Sequence, residues 1–301
     1  MEKISYQGWQ NCYRISNSVI DLVVTGDVGP RIIRAGFVGQ ANELVEVKDQ
    51  LGQTGAAEWM IYGGHRLWHA PEEKPRTYFP DNSPVTVQDM GAFVRVTQPV
   101  EATTGIQKEI DISLEPGKAH AHLVHRLINR NLWAVELAPW ALSVMDAGGV
   151  AILPIPARGS HTDHLLPTNT LTMWAYTNFS DPRWVLGEHF ILLRQDSQAA
   201  VPQKVGMYAP DGWIAYAHNQ HLFLKKVTPQ PGARYPDYGC NLETFTNEFM
   251  LEIESVGPLV LLAPGAAVEH VEDWYLFQDV PAPKTDADVS KNILPKIAGI
   301  I

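Results

Sequence analysis

The stretch FMLEIES, residues 249–255, alternates in polarity. In an extended chain Phe249, Leu251 and Ile253 fall on one side, and Met250, Glu252 and Glu254 on the other. One apolar face and one carboxylate face predict an antiparallel strand packed on a core, with its second face open to water or to a cleft. Two glutamates on one desolvated face repel, which lifts one of them toward the range of a general base. The plainer alternative is a solvated face with basic partners on neighbouring strands.

The same period of two runs outward from this stretch. Upstream, VIDLVV (19–24), FVRVTQ (93–98), QKEIDISLEP (107–116), HAHLVHRLI (120–128), LAPWALSVM (137–145) and VAILPI (150–155) read as strands. So do LTMWAY (171–176), FILL (190–193) and WIAYAH (213–218), and downstream LVLLAP (259–264) and WYLF (274–277). They are short, rich in β-branched and aromatic residues, and bounded by Gly, Pro, Asn or Asp. A helical period is expected only in the tail, where Asp286 or Asp288 caps VSKNILPKI and Pro295 cuts it short. No repeat of fixed length divides the chain. The expected architecture is all-β, one large antiparallel sandwich over residues 1–280 and a tail, 281–301, that packs on it as a short helix.

Composition narrows the function. The net charge of −10, with no basic run longer than two residues, argues against a nucleic-acid surface. No apolar run reaches the length of a membrane span, and MEKISYQGWQNCYRI lacks a signal-peptide core, so a cytoplasmic location is expected. Cys12 and Cys240 stand too far apart to read as a metal or redox pair and are expected as buried free thiols. No Gly-x-Ser-x-Gly elbow, dinucleotide fingerprint or phosphate loop occurs.

Three stretches are dense in groups that bind or carry protons. In IYGGHRLWHAPE (61–72), a strand puts His65, Leu67 and His69 on one face and Arg66 and Trp68 on the other. The Gly63-Gly64 pair permits a turn or a close backbone approach. Arg66 offers a fork of donors for paired hydroxyls, and Trp68 a flat apolar surface for a pyranose. An edge strand with solvated Arg and His is the competing reading. In HAHLVHR (120–126), His120 and His122 share a face and His125 opposes them. The carboxylate that a cupin-type metal site wants next is absent, so no metal and no cofactor are expected. In ARGSHTDH (157–164), Arg158 and His161 lie in a polar loop that rims a pocket or simply faces solvent.

An acidic strand, an apolar strand closing on Pro-Gly, and a final polar-aromatic strand (here MLEIES, LLAPG and EHVEDWYLF) resemble the end of aldose 1-epimerases and related mutarotases. The Gly-Gly strand resembles a site-lining segment of hexose-phosphate mutarotases. The resemblance runs from about residue 19 to 277 in strand order, with residue-level matches in these two patches only. It implies a galactose mutarotase-like β supersandwich, with Glu252 in the place of the general base and Arg66 in that of the sugar-binding arginine. In that family the acid is a histidine on a central strand; LAPWALSVM carries Pro139 and Trp140 instead.

The expectation is therefore a carbohydrate-binding or carbohydrate-modifying protein with a small-molecule sugar as partner. If it is an enzyme, Glu252 is the base of an aldose 1-epimerase-like isomerase, and His65, His69 or His122 the acid. Arg66, Trp68, Trp140, Arg158, His161 and Glu254 are the candidate sugar contacts. A non-catalytic sugar-binding module is the alternative that the missing central histidine favours. A lyase using Tyr62, Tyr208 and Asn247, or a glycosidase pairing Glu72 or Asp163 with Glu252, are further alternatives.

Overall fold

The computed structural model describes all residues, 1–301. Its strands form two antiparallel sheets, one of eleven strands and one of ten. The central strands of the first sheet run, in spatial order, Arg31–Phe37, Gly64–Ala70, Val135–Met145, Leu251–Val256, Leu242–Thr246 and Gln203–Met207. The second sheet is centred on Trp213–His218, His221–Lys226, Ala267–Gln278 and His120–Asn129. The inner faces meet over a core of 35 buried apolar residues, among them Leu67, Leu251 and Ile253 from the first sheet and Leu123, Phe223 and Trp274 from the second. This is the large antiparallel all-β sandwich that the alternation predicts, in the supersandwich form that the resemblance implies.

Alternation in FMLEIES places its strand residues as expected, but Phe249 lies in the turn before the strand, exposed and on the same cavity wall as Met250. Leu251 and Ile253 enter the core, while Glu252 and Glu254 face the outer side of the first sheet. The Gly-Gly strand is central rather than an edge, paired on one side with Val135–Met145 and on the other with Arg31–Phe37. Gly63 and Gly64 have φ of +100° and +73°. A Cβ on Gly64 would stand 2.3 Å from the Ile32 carbonyl oxygen, and one on Gly63 2.1 Å from that of Val45. Only glycine admits both this backbone and this approach. The turn delivers the next residues to the sheet centre.

The tail forms two short helices, Asp286–Asn292 and Leu294–Ile297. Thr285 rather than Asp286 or Asp288 is the N-cap, and Asp288 closes the capping box onto it. Pro295 lies in the first turn of the second helix, where its missing N–H costs nothing. Val289, Ile293 and Ile297 pack on the outer face of the second sheet against Ile152, Leu192 and Trp213. Cys12 and Cys240 are buried and unpaired.

Candidate functional site

The outer face of the first sheet is hollow where its central strands pass. The register sets the floor in rows: Arg66 opposite Leu142, Leu142 opposite Glu254, and Glu254 opposite Glu243. One row along, Trp68 stands opposite Trp140. In another, Val144 faces Glu252, Glu252 faces Phe245, and Phe245 faces Lys204. Loops raise walls around this floor, bringing Trp59, Glu72, Tyr78, Trp174 and Tyr176. The result is a cavity of about 510 Å³ continuous, through Glu72, Tyr78, Trp140, Trp174 and Lys204, with a neighbour of about 450 Å³. Both are of the size that small-molecule sites take.

Two cations are held between aromatic rings. The Arg66 guanidinium lies 4.3 Å from the ring centre of Trp68 and 5.3 Å from that of Trp59, and donates to Glu252 Oε1 at 3.0 Å. Its Nε and Nη1 have no protein partner. The Lys204 ammonium lies 4.8 Å from Trp140 and 4.7 Å from Trp174, with Glu243 at 2.8 Å and Glu254 at 2.9 Å. Trp140 Nε1 donates to the same Glu254 oxygen at 2.9 Å. Glu254 is thus a buried brace beneath the floor rather than a contact surface.

Electrostatics follow from this crowding. Burial pushes the Glu252 carboxyl up from the usual range, against the pull of Arg66. Burial pushes Glu243 up further, against Lys204. Burial would lower the Lys204 ammonium, but Glu243 and Glu254 outweigh it and hold the charge on the lysine. The hollow therefore presents one paired arginine, one doubly paired lysine and carboxyls that are ready to take a proton.

The candidate residues divide by face. Arg66, Trp68, Trp140 and Glu252 line the hollow, and Glu254 braces it. His65 and His69 point the other way, as alternation on their own strand requires. His65 is fully buried between the sheets, where Nδ1 meets Ser143 Oγ at 2.9 Å and Nε2 meets His125 Nε2 at 2.7 Å. His69 is buried 3.5 Å from Glu101. His122 sits on the far face of the second sheet, bonded to Asp273 at 2.8 Å. Arg158 and His161 are exposed in their loop, Arg158 paired with Glu188. No histidine lines either part of the hollow.

His65, His125 and Glu272 have ligand atoms close enough together to suggest a metal. Their partners are already spent: Glu272 takes Lys225 at 2.9 Å and the indole of Trp274 at 2.7 Å, and His125 Nδ1 meets the His270 carbonyl at 3.0 Å. The 2.7 Å between imidazoles is hydrogen-bond spacing. Two imidazoles on one tetrahedral zinc stand about 3.3 Å apart, given Zn–N of about 2.0 Å. The cluster reads as a closed chain in which burial keeps both imidazoles neutral and Lys225 keeps Glu272 ionised.

Sequence reasoning missed Lys204, Glu243, Trp59, Trp174 and Tyr78. For Glu243 a signal was present: LETFT repeats the alternation of FMLEIES across a short Asn247–Met250 turn, so the two strands form one hairpin and add their polar faces. Nothing local marks Lys204, whose place depends on strand order.

Comparison with solved structures gives the fold its relatives. A galactose mutarotase-like protein from Lactobacillus casei superposes with a TM-score of 0.60 at 11% identity, over 89% of this chain and 100% of that one. The fold is galactose mutarotase-like. A galactose mutarotase related enzyme from Lactobacillus acidophilus superposes with a TM-score of 0.52 at 10% identity, over 91% and 99% of the two chains. The same fold accounts for 47% of a TPR-domain containing protein from Parabacteroides distasonis, which matches 90% of this chain with a TM-score of 0.59 at 14% identity. No family profile and no curated protein sequence matches the chain. A fold by itself does not assign an activity, so function rests on the hollow itself.

Proposed function

We propose that the protein binds a neutral carbohydrate in the hollow and does not interconvert its anomers by a glutamate–histidine pair. One observation carries the reading. Trp59, Trp68, Trp140 and Trp174 present their rings around Arg66, Lys204 and Glu252, and no histidine reaches the hollow. Flat rings suit the C–H faces of pyranoses, and carboxyls with unspent lone pairs suit their hydroxyls. Arg66 and Lys204 are already matched by carboxylates, and on the rim Glu72, Glu73 and Asp237 outnumber Lys74. Phosphorylated sugars and uronates are therefore disfavoured, and with them the lyase alternative, which needs free cations to neutralise a uronate.

A second reading keeps the epimerase-like reaction with another acid. It is favoured by the raised carboxyls of Glu252 and Glu243 in one cavity, since a protonated carboxyl donates as histidine does. Calorimetry against neutral, phosphorylated and uronic sugars, with polarimetry of anomer interconversion on the same samples, separates the two. Heat of binding with neutral sugars and no acceleration of mutarotation is the expected result. Mutarotation lost in Glu252→Gln would establish the second reading, and a silent panel would overturn both.

A further inference from the structure

Behind the strand Gly64–Ala70, on the side away from the hollow, lies a separate cavity of about 370 Å³. It opens at one end of the sandwich between the loops that carry Arg76, Thr104 and Trp133. Alternation gives the strand two duties: Trp68 floors the hollow, and His69 faces this second space.

Three features mark it as a built site. His69 is 1% exposed, yet neither ring nitrogen has a hydrogen-bond partner. Buried polar atoms without partners are rare and costly, and each calls for an account. Its nearest carboxylate, Glu101 at 3.5 Å, stands beyond ordinary hydrogen-bond distance and already takes Lys108 at 2.6 Å and the Thr104 hydroxyl. Second, Arg76 lines the cavity with no carboxylate partner; its one bond goes to the Pro71 carbonyl, and its Nε is buried and free. The nearby Glu136 is already held by Arg234. Third, Ile106, Val135 and Leu137 give the cavity an apolar stretch of wall beside Thr103, Thr104, Asn131 and Glu136, and Trp133, which is 65% exposed, stands at the mouth.

We propose that this cavity is a second ligand site, which takes a small organic carboxylate. The carboxylate lies against the Arg76 guanidinium, whose planar donors fit it, and accepts from His69. The apolar body of the ligand lies on Val135, Leu137 and the Trp133 ring. One unpaired guanidinium balances one negative charge. A phosphate dianion would leave a charge uncompensated beside buried Glu101.

The test uses benzoate and inorganic phosphate as probes, with titration calorimetry on the full chain. Wild type binds benzoate, and phosphate at least tenfold more weakly. Arg76→Gln, on an exposed loop, retains the wild-type melting temperature and loses at least tenfold in benzoate affinity. Trp133→Ala loses severalfold, while Trp140→Ala, in the hollow, binds benzoate as wild type does. Absence of benzoate binding, an Arg76→Gln variant that binds unchanged, loss of binding in Trp140→Ala, or phosphate binding tighter than benzoate would each overturn the proposal. None of these results bears on sugar binding in the hollow, so the two assignments fail separately.

Discussion

Arg66 and Glu252 stand 186 residues apart in sequence and meet at 3.0 Å across an intervening strand. On that strand Leu142 faces Arg66 and Val144 faces Glu252, so the guanidinium reaches diagonally across it. Both side chains are buried. The pair thus ties the Gly-Gly strand to the carboxylate strand and fixes the polar centre of the hollow.

Removing one member of such a pair strands the other. Arg66→Gln is expected to cost about 3–5 kcal/mol by urea denaturation, the usual range for a buried pair broken on one side. Arg66→Gln with Glu252→Gln should cost clearly less than the two single changes summed. Strict additivity would mean that the two groups do not interact.

The tryptophans are expected to carry sugar affinity. Trp68→Ala and Trp140→Ala should each weaken a bound neutral sugar about tenfold, consistent with about 1.5 kcal/mol for a stacked ring. Trp140→Phe keeps a ring but loses the bond to Glu254. It should lie between wild type and the alanine variant, and equal binding in all three would remove the ring from the site.

Gly64 has no substitute. Gly64→Ala meets both a left-handed φ and a carbonyl at 2.3 Å, so a loss of about 2 kcal/mol or more is expected. Gly117, also at positive φ but with open space around it, is the control: its alanine variant should cost about 1 kcal/mol. Similar melting temperatures for the two variants would show that the close approach at Gly64 is relieved.

The histidines should titrate in two groups. Burial holds His65 and His125 below the ordinary range and His270 down to about 3. Asp273, with Glu115, holds His120 above the ordinary range. In a proton NMR titration the His120 ring should therefore change charge above pH 6.5, and those of the buried three only below it. The linkage has a definite sign. Unfolding frees the buried three to bind protons at about pH 6.5, so their contribution is full above that value and is lost as pH falls toward their folded values. Buried Glu243 and Glu252, pushed up by burial, act in the opposite sense at acid pH. A ring of His65 or His125 that titrates near pH 6.5 would refute the closed chain.

The alternation in FMLEIES and in GHRLWHA was enough to place Glu252, Glu254, Arg66 and Trp68 on polar faces and to give the sandwich. That the two faces are the same hollow follows from strand order, which a period of two does not contain. Lys204 and Trp174 were invisible for the same reason, since they arrive from the strand Gln203–Met207 and a loop whose neighbours are set by distant pairing. His65 and His69 were attractive as acids because they lie one and three residues from Arg66 in sequence. Residues an odd number of positions apart on a strand face opposite ways, and that geometry sends both behind the sheet. Short strands such as Glu2–Tyr6 and Gln203–Met207 escaped notice because few residues carry their pattern.

Leu142 leaves the middle of the hollow without a proton carrier. It is flanked by Arg66 on one neighbouring strand and Glu254 on the other, and its side chain can neither give nor take a proton. An imidazole in its place would stand between a guanidinium and a carboxylate, so a single exchange on an unchanged scaffold separates a floor without a relay from one that has it.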